Sequence, residues 1–292
     1  MENVDVYLTK WNTFFEEWKK NPKVTFKEDK VWSKHKGKVK SDTKKKDTKL
    51  EYDVLPQPYL GNITNHSVIT LNLNPCRTKQ EKSVKEFKKN LDKFNNASTY
   101  YEYAKDFPTY DIGFWQDQAN WFKRMFIERM EFDIYKKPFA IEICPWNSES
   151  WLALKINEEI VNYLDENVFT VIEKAIKDSD IKIVFSVGKA YYDIFNHKKS
   201  CFKKIEEFTK SQKNGPFDLD IHSEDQDLKS KIIVIWPKKQ TKNTNPRYVN
   251  RSFSFWKKNN VTYFNTWSPG SNNPPSRDFI EIESELIKKY LK

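Results

Sequence analysis

Four apolar runs in this chain stop at short polar loops, and those loops hold the residues best suited to chemistry. Residues 66–73 stop at Asn74-Pro75, 138–143 at Cys144-Pro145-Trp146, 181–187 at Gly188-Lys189, and 261–266 just before Ser268-Pro269-Gly270. Near the end of the second run stands Glu142. A carboxylate accepts hydrogen bonds and pairs naturally with an amino group such as cytosine N4. Gly188-Lys189 opens a helical pattern, where free N–H groups and the helix dipole favour an anion. Ser268 and Gly270 are small enough for backbone N–H groups to approach a phosphate closely. Trp146, Trp115 and Trp267 are expected near the edge of the site these loops form and offer ring faces to a base. Each residue also has a plainer reading: an Asn-Pro turn, a capping turn, a Glu bridged to a nearby Lys or Arg, a Trp packed in the core.

Several kinds of chemistry are absent from the pattern. There is no P-loop, no GxGxxG, no local Ser-His-Asp arrangement and no carboxylate pair with glycosidase spacing. Cys76, Cys144 and Cys201 are widely spaced and odd in number, which argues against a disulfide framework or a zinc or iron–sulfur site. The four histidines show no HExxH-like pairing. The expectation is a protein with no metal and no cofactor in a reducing cytoplasm. No run of about 18 apolar residues exists to span a membrane, and the first ten residues do not read as a signal peptide.

The charge balance points to the partner. Lys and Arg total 51 against 41 acidic residues, a formal net charge of +10, and a surplus of that size favours nucleic acid or an acidic membrane surface. Aromatic residues make up 15% of the chain, enough to supply stacking platforms for unpaired bases as well as core. A lysine-rich surface with no ligand is the plain alternative.

The elements that must position these loops follow from periodicity. Val4, Leu8, Trp11, Phe14, Phe15 and Trp18 share one face of a helix over 4–20. Residues 21–49 are polar and Lys-rich and read as a charged loop or arm. Strands are expected at 66–73, 138–143, 181–187, 231–236 and 261–266, and helices at 79–95, 115–130, 149–177, 188–197 and 277–291, the last capped by Ser276 with Glu281 in its first turn. Strand–helix alternation predicts an α/β fold, a mostly parallel sheet sandwiched by helices in three layers. In such sheets a ligand binds beyond the carboxyl ends of the strands, where the four loops fall.

The segment 55–76, LPQPYLGNITNHSVITLNLNPC, resembles the opening of the uracil-DNA glycosylase superfamily: a Pro-Pro-aromatic-x-Gly-Asn lead-in, an apolar strand, then a G-[LMI]-N-P-G-like loop. Here Asn74-Pro75 matches and both flanking glycines are replaced. IEICPW (141–146) is similar to the N-Y-C-P-L segment of the single-strand-selective branch, with Glu142 where that branch carries its base-reading Asn. FSVGKAYYDIF (185–195) resembles the superfamily's strand-to-helix turn, and TWSPGSNNP (266–274) its H-P-S-P-x-S/N motif, with Thr266 in place of the His. The resemblance covers 55–292 in the correct order and leaves 1–50 as an N-terminal helix and Lys-rich extension to a domain spanning 51–292.

This resemblance implies a short, mostly parallel central sheet in an α/β/α sandwich, and a monofunctional, monomeric DNA glycosylase that flips a base out of the stack and hydrolyses its N-glycosidic bond, leaving an abasic site. Asn74 would position the attacking water, acting by preorganisation because an amide is a poor base. Glu142 would read the base, with Trp146 and Trp115 beside it. Thr266 would stand where a His assists the leaving base, and Gly188, Lys189, Ser268, Gly270 and Ser271 would hold the DNA backbone. A carboxylate at 142 points away from uracil and towards a base with an exocyclic amine, such as a modified cytosine of viral DNA, which implies repair or antiviral defence. The other readings are a catalytically silent nucleic-acid-binding module on the same fold and, further off, a nucleotide-processing or hydrolase-like enzyme for small substrates.

Overall fold

The computed structural model describes residues 2–21, 30–33, 37–40, 45–48, 50–51, 55–73, 92–106, 113–131, 138–148, 156–211, 218–235, 251–267 and 279–291. In chain order the elements are α1 (Glu2–Lys20), α2 (Lys30–Ser33), β1 (Gly37–Lys40), β2 (Lys45–Thr48), β3 (Leu50–Glu51), β4 (Tyr59–Leu60), β5 (Ile69–Asn72) and α3, described over 92–96. Then come α4 (Tyr100–Ala104), α5 (Gly113–Phe122), β6 (Phe139–Glu142), β7 (Asn147–Ser148), α6 (Glu158–Leu164), α7 (Thr170–Ala175), β8 (Ile183–Val187) and α8 (Lys189–Phe195). The chain closes with β9 (Lys203–Ser211), β10 (Asp218–His222), α9 (Gln226–Ile235), β11 (Ser252–Lys258), β12 (Val261–Trp267) and α10 (Ile280–Lys288). The structure is α/β, and its strands pair both parallel and antiparallel. Its residues gather into two compact units, 1–66 with 70–108 and 138–178, and 67–69 with 109–137 and 179–292.

In the first unit α1 is a core helix, packed on α4 and α7. Its buried face is Tyr7, Trp11, Phe14 and Phe15, slightly rotated from expectation: Tyr7 is buried where Leu8 is only half-buried. Phe15 lies against Tyr100 and Tyr103 of α4, and Phe14 meets Trp146 edge-on at 5.8 Å. Thr99 caps α4 by accepting from the Glu102 amide, while the Glu102 carboxylate accepts from the Ser98 amide at 2.7 Å. Two orphan donors at the helix start are thus satisfied nearly reciprocally. The strand order is β5-β6-β4, with β4 antiparallel to β6. The pairing of β5 with β6 continues past both strands, the amides of Ile143 and Cys144 donating to the carbonyls of Asn72 and Leu73 at 2.8 Å. The Lys-rich stretch expected as a loop contains α2 and an antiparallel ribbon in which Gly37 faces Thr48 and Lys40 faces Lys45. Residues 79–91 of an expected helix lie outside the described residues.

In the second unit the strand order is β10-β9-β11-β12-β8. β12 and β8 pair parallel; β11–β12, β11–β9 and β10–β9 are antiparallel. The β11–β12 hairpin turns over Asn259-Asn260, where Asn259 takes a φ of 52°, a left-handed conformation that Asn tolerates. Trp121, Phe122 and Phe126 pack on Phe185 of β8, and Phe253 and Phe255 of β11 pack on Phe264. Residues 231–235, expected as strand, are the second half of α9. A short apolar run does not distinguish a strand from a buried helix by itself. Here Asp225 accepts from the Leu228 amide at 2.9 Å and starts the helix, and Ile232, one turn on from Leu228, is buried. The C-terminal helix has Phe279 at its N-cap and Glu281 in its first turn, and Ser276 lies outside the described residues.

Candidate functional site

Glu142 ends β6 with its side chain almost wholly buried, 4% exposed. Its own amide donates to the Pro58 carbonyl at 3.0 Å, and the same carbonyl receives the Tyr7 hydroxyl from α1. Asn72, the last residue of β5, lies beside the carboxyl and favours its charged form. Desolvation outweighs that help and pushes the Glu142 carboxyl up to about 8. The ionisable groups coupled to it are Tyr7 and Tyr100, both held neutral by burial. No bridge to a Lys or Arg accounts for it among the described residues, and its Oε2 has no hydrogen-bond partner. A buried carboxyl with an unfilled oxygen at a strand end is an uncommon and costly arrangement. At neutral pH it is largely a neutral acid, able to donate as well as accept.

Trp146 follows on the same loop. Its ring is fully buried against Phe14 of α1, so it is part of the core and presents no free face for stacking. Nothing local to residues 141–146 announces this, because the covering group comes from the N-terminal helix. Gln57 and Pro145 are tied by a backbone hydrogen bond of 2.8 Å, which joins the lead-in to β4 to the Cys144-Pro145-Trp146 loop.

In the second unit Thr266 is the penultimate residue of β12 and is fully buried. Its hydroxyl accepts from the Arg251 Nε at 2.7 Å. Arg251 is buried and its pKa is pushed down to about 10 by desolvation, with Glu283 of α10 opposing. Glu283 is fully buried; desolvation raises its carboxyl to about 8 even with Arg251 near and the Trp121 indole donating to it at 2.8 Å. Position 266, where the resembled motif has a His, is therefore served by a cation from outside its own strand. Arg251 precedes β11, 15 residues away in sequence, and the chain segment around it shows no motif that would have revealed it. Only the hairpin register brings it there.

Gly188 has φ 136° and ψ 154°, a region essentially confined to glycine. Its amide donates to the Thr266 carbonyl at 2.9 Å. That N–H is therefore already used, and the helix that follows has seven residues. Lys189 is 60% exposed and paired with Asp193 at 2.5 Å. Trp115 is half-buried on α5. The structure brings Glu142 and Trp146 together in the first unit, and Gly188 and Thr266 in the second. Asn74, Ser268, Gly270 and Ser271 lie outside the described residues.

Among the described residues no group of three His, Cys, Asp or Glu side chains could hold a metal ion, and no helix is long and apolar enough to cross a membrane. Comparisons with protein-family models, with curated proteins and with solved structures find no match.

Proposed function

We propose that this protein is a DNA glycosylase that hydrolyses the N-glycosidic bond of a flipped-out modified base, on a three-layer α/β/α sandwich of the uracil-DNA glycosylase type. The observation that carries the reading is Glu142: a buried carboxyl with an unfilled oxygen, at the end of the strand whose sequence resembles a base-reading segment. The other resembled segments support it, since Asn72, Val187 and Trp267 also close strands immediately before the loops in question. Asn74 positions water beneath the sugar, and Glu142 meets the base. The loops at 188–189 and 268–271 hold the backbone. Thr266 carries no charge, so any electrostatic help at that strand end comes from Arg251 behind it. The favoured substrate is a modified cytosine, such as a hydroxymethylcytosine derivative of phage DNA, and the corresponding role is defence. Viruses with such DNA then plate less well on cells that make the protein.

The direct test is base release. DNA containing uracil, cytosine, 5-hydroxymethylcytosine or its glucosylated form is incubated with the protein and examined for alkali-labile abasic sites. Release of one base, lost in Asn74→Ala, supports the reading. The second reading, a silent nucleic-acid-binding module, is favoured by one observation: the Thr266 hydroxyl is buried and engaged by Arg251. Salt-dependent DNA binding with no abasic product from any substrate decides for it.

A further inference from the structure

Given the proposed function, in which Glu142 meets a base, its protonation state decides which edge of that base it can read. A charged carboxylate only accepts hydrogen bonds, whereas a neutral acid also donates one. Three features of the surroundings bear on which form meets the ligand. The side chain is enclosed, at 4% exposure, so a charge there is poorly solvated. The side chains that couple to it are Tyr7 from α1, Tyr100 from α4 and Asn72 from β5, and none of them is a cation. Oε2 has no hydrogen-bond partner, which leaves it open to carry the acid proton.

We infer that Glu142 recognises its base as a hydrogen-bond donor, presenting Oε2–H to an acceptor on the base edge, a ring nitrogen of the cytosine type or a carbonyl of the uracil type. A charged Glu142 accepting from an exocyclic amine is the opposite polarity. The two make opposite predictions. As a donor, Glu142 works while it is protonated and fails as pH rises through about 8; as a charged acceptor, it works better as pH rises. Neutral Glu142 also resembles an amide, with one donor and one acceptor, so the sequence-based reason for setting uracil aside is removed.

The experiment measures base release and oligonucleotide binding from pH 6 to pH 9.5 for the wild type, Glu142→Gln and Glu142→Ala, on DNA carrying uracil, cytosine, 5-hydroxymethylcytosine or its glucosylated form. Anisotropy of a labelled oligonucleotide follows binding independently of turnover. The expected result is wild-type recognition that falls about ten- to a hundredfold above pH 8, the worth of one hydrogen bond to a buried group. Glu142→Gln, which keeps a donor at every pH, gives a flat profile that lies above the wild type at pH 9.5. Glu142→Ala is weak throughout. Recognition that strengthens with pH, or a Gln variant as weak as Ala, overturns the inference. No release but binding with this pH signature retains the donor role and removes the glycosylase reading. Release with a flat wild-type profile does the reverse, and neither release nor binding removes both.

Discussion

The Nε of Arg251 lies 2.7 Å from the Thr266 hydroxyl, and both residues are buried. The residue leading into β11 thereby supplies a cation beside Thr266, next to the end of β12. Glu283 from α10 balances it in part, and the Trp121 indole from α5 donates to Glu283 at 2.8 Å. α5, β12, α10 and the residue that leads into β11 meet in this polar cluster inside an aromatic core.

Removing Arg251 leaves the Thr266 hydroxyl and the Glu283 carboxyl buried without this partner. Arg251→Met is expected to cost about 1–3 kcal/mol, read as a lower urea midpoint with little change in m. Replacing both partners, Arg251→Met with Glu283→Met, should recover most of that loss, because an apolar pair of similar volume avoids the desolvation. Strictly additive losses in the double variant would show that the two residues are not energetically coupled.

Stability should fall as pH rises from about 5 to about 8. Glu142 and Glu283 both have folded pKa values raised to about 8, above the ordinary 4.5. Each therefore contributes fully below the unfolded pKa, where it is protonated in both states. That contribution is lost as pH rises towards the folded value, because unfolding then releases a proton. Thermal melts across this range should show the wild type declining by up to a few kcal/mol, with a shallower slope for Glu142→Gln. A wild-type Tm that rises between pH 5 and 8 would contradict the assigned direction.

The contact between Phe14 and Trp146 makes α1 part of the first unit's core rather than an appendage. Trp146→Ala should cost about 3–5 kcal/mol through the cavity it leaves. Deleting residues 1–21 should remove the cover from Trp146, Tyr59 and Tyr100 together. Amide hydrogen exchange would then report lost protection at Phe139–Glu142. Unaltered protection in the truncated chain would return α1 to the role of an extension.

The parts of the fold that were legible are the local ones. Continuous apolar runs ended within one residue of the strand ends Asn72, Val187 and Trp267, and the α1 face could be read to within one residue because a helix repeats every 3.6 positions. The amphipathic strands β9 and β11 carry many charged or polar residues and did not stand out. The run 231–236 misled because only the cap at Asp225 tells a helix from a strand there.

By itself the sequence placed these strand ends to within one residue, and therefore put Glu142 and Thr266 at or next to them. Those facts depend on neighbours a few positions away. The tertiary structure decided their chemistry. Glu142 is neutral because α1, α4 and β5 enclose it, and Thr266 has a cation because a hairpin register delivers Arg251. Trp146 is core because Phe14 covers it. Burial and Coulombic coupling are set by whichever distant segments pack against a group, and no local pattern carries that information.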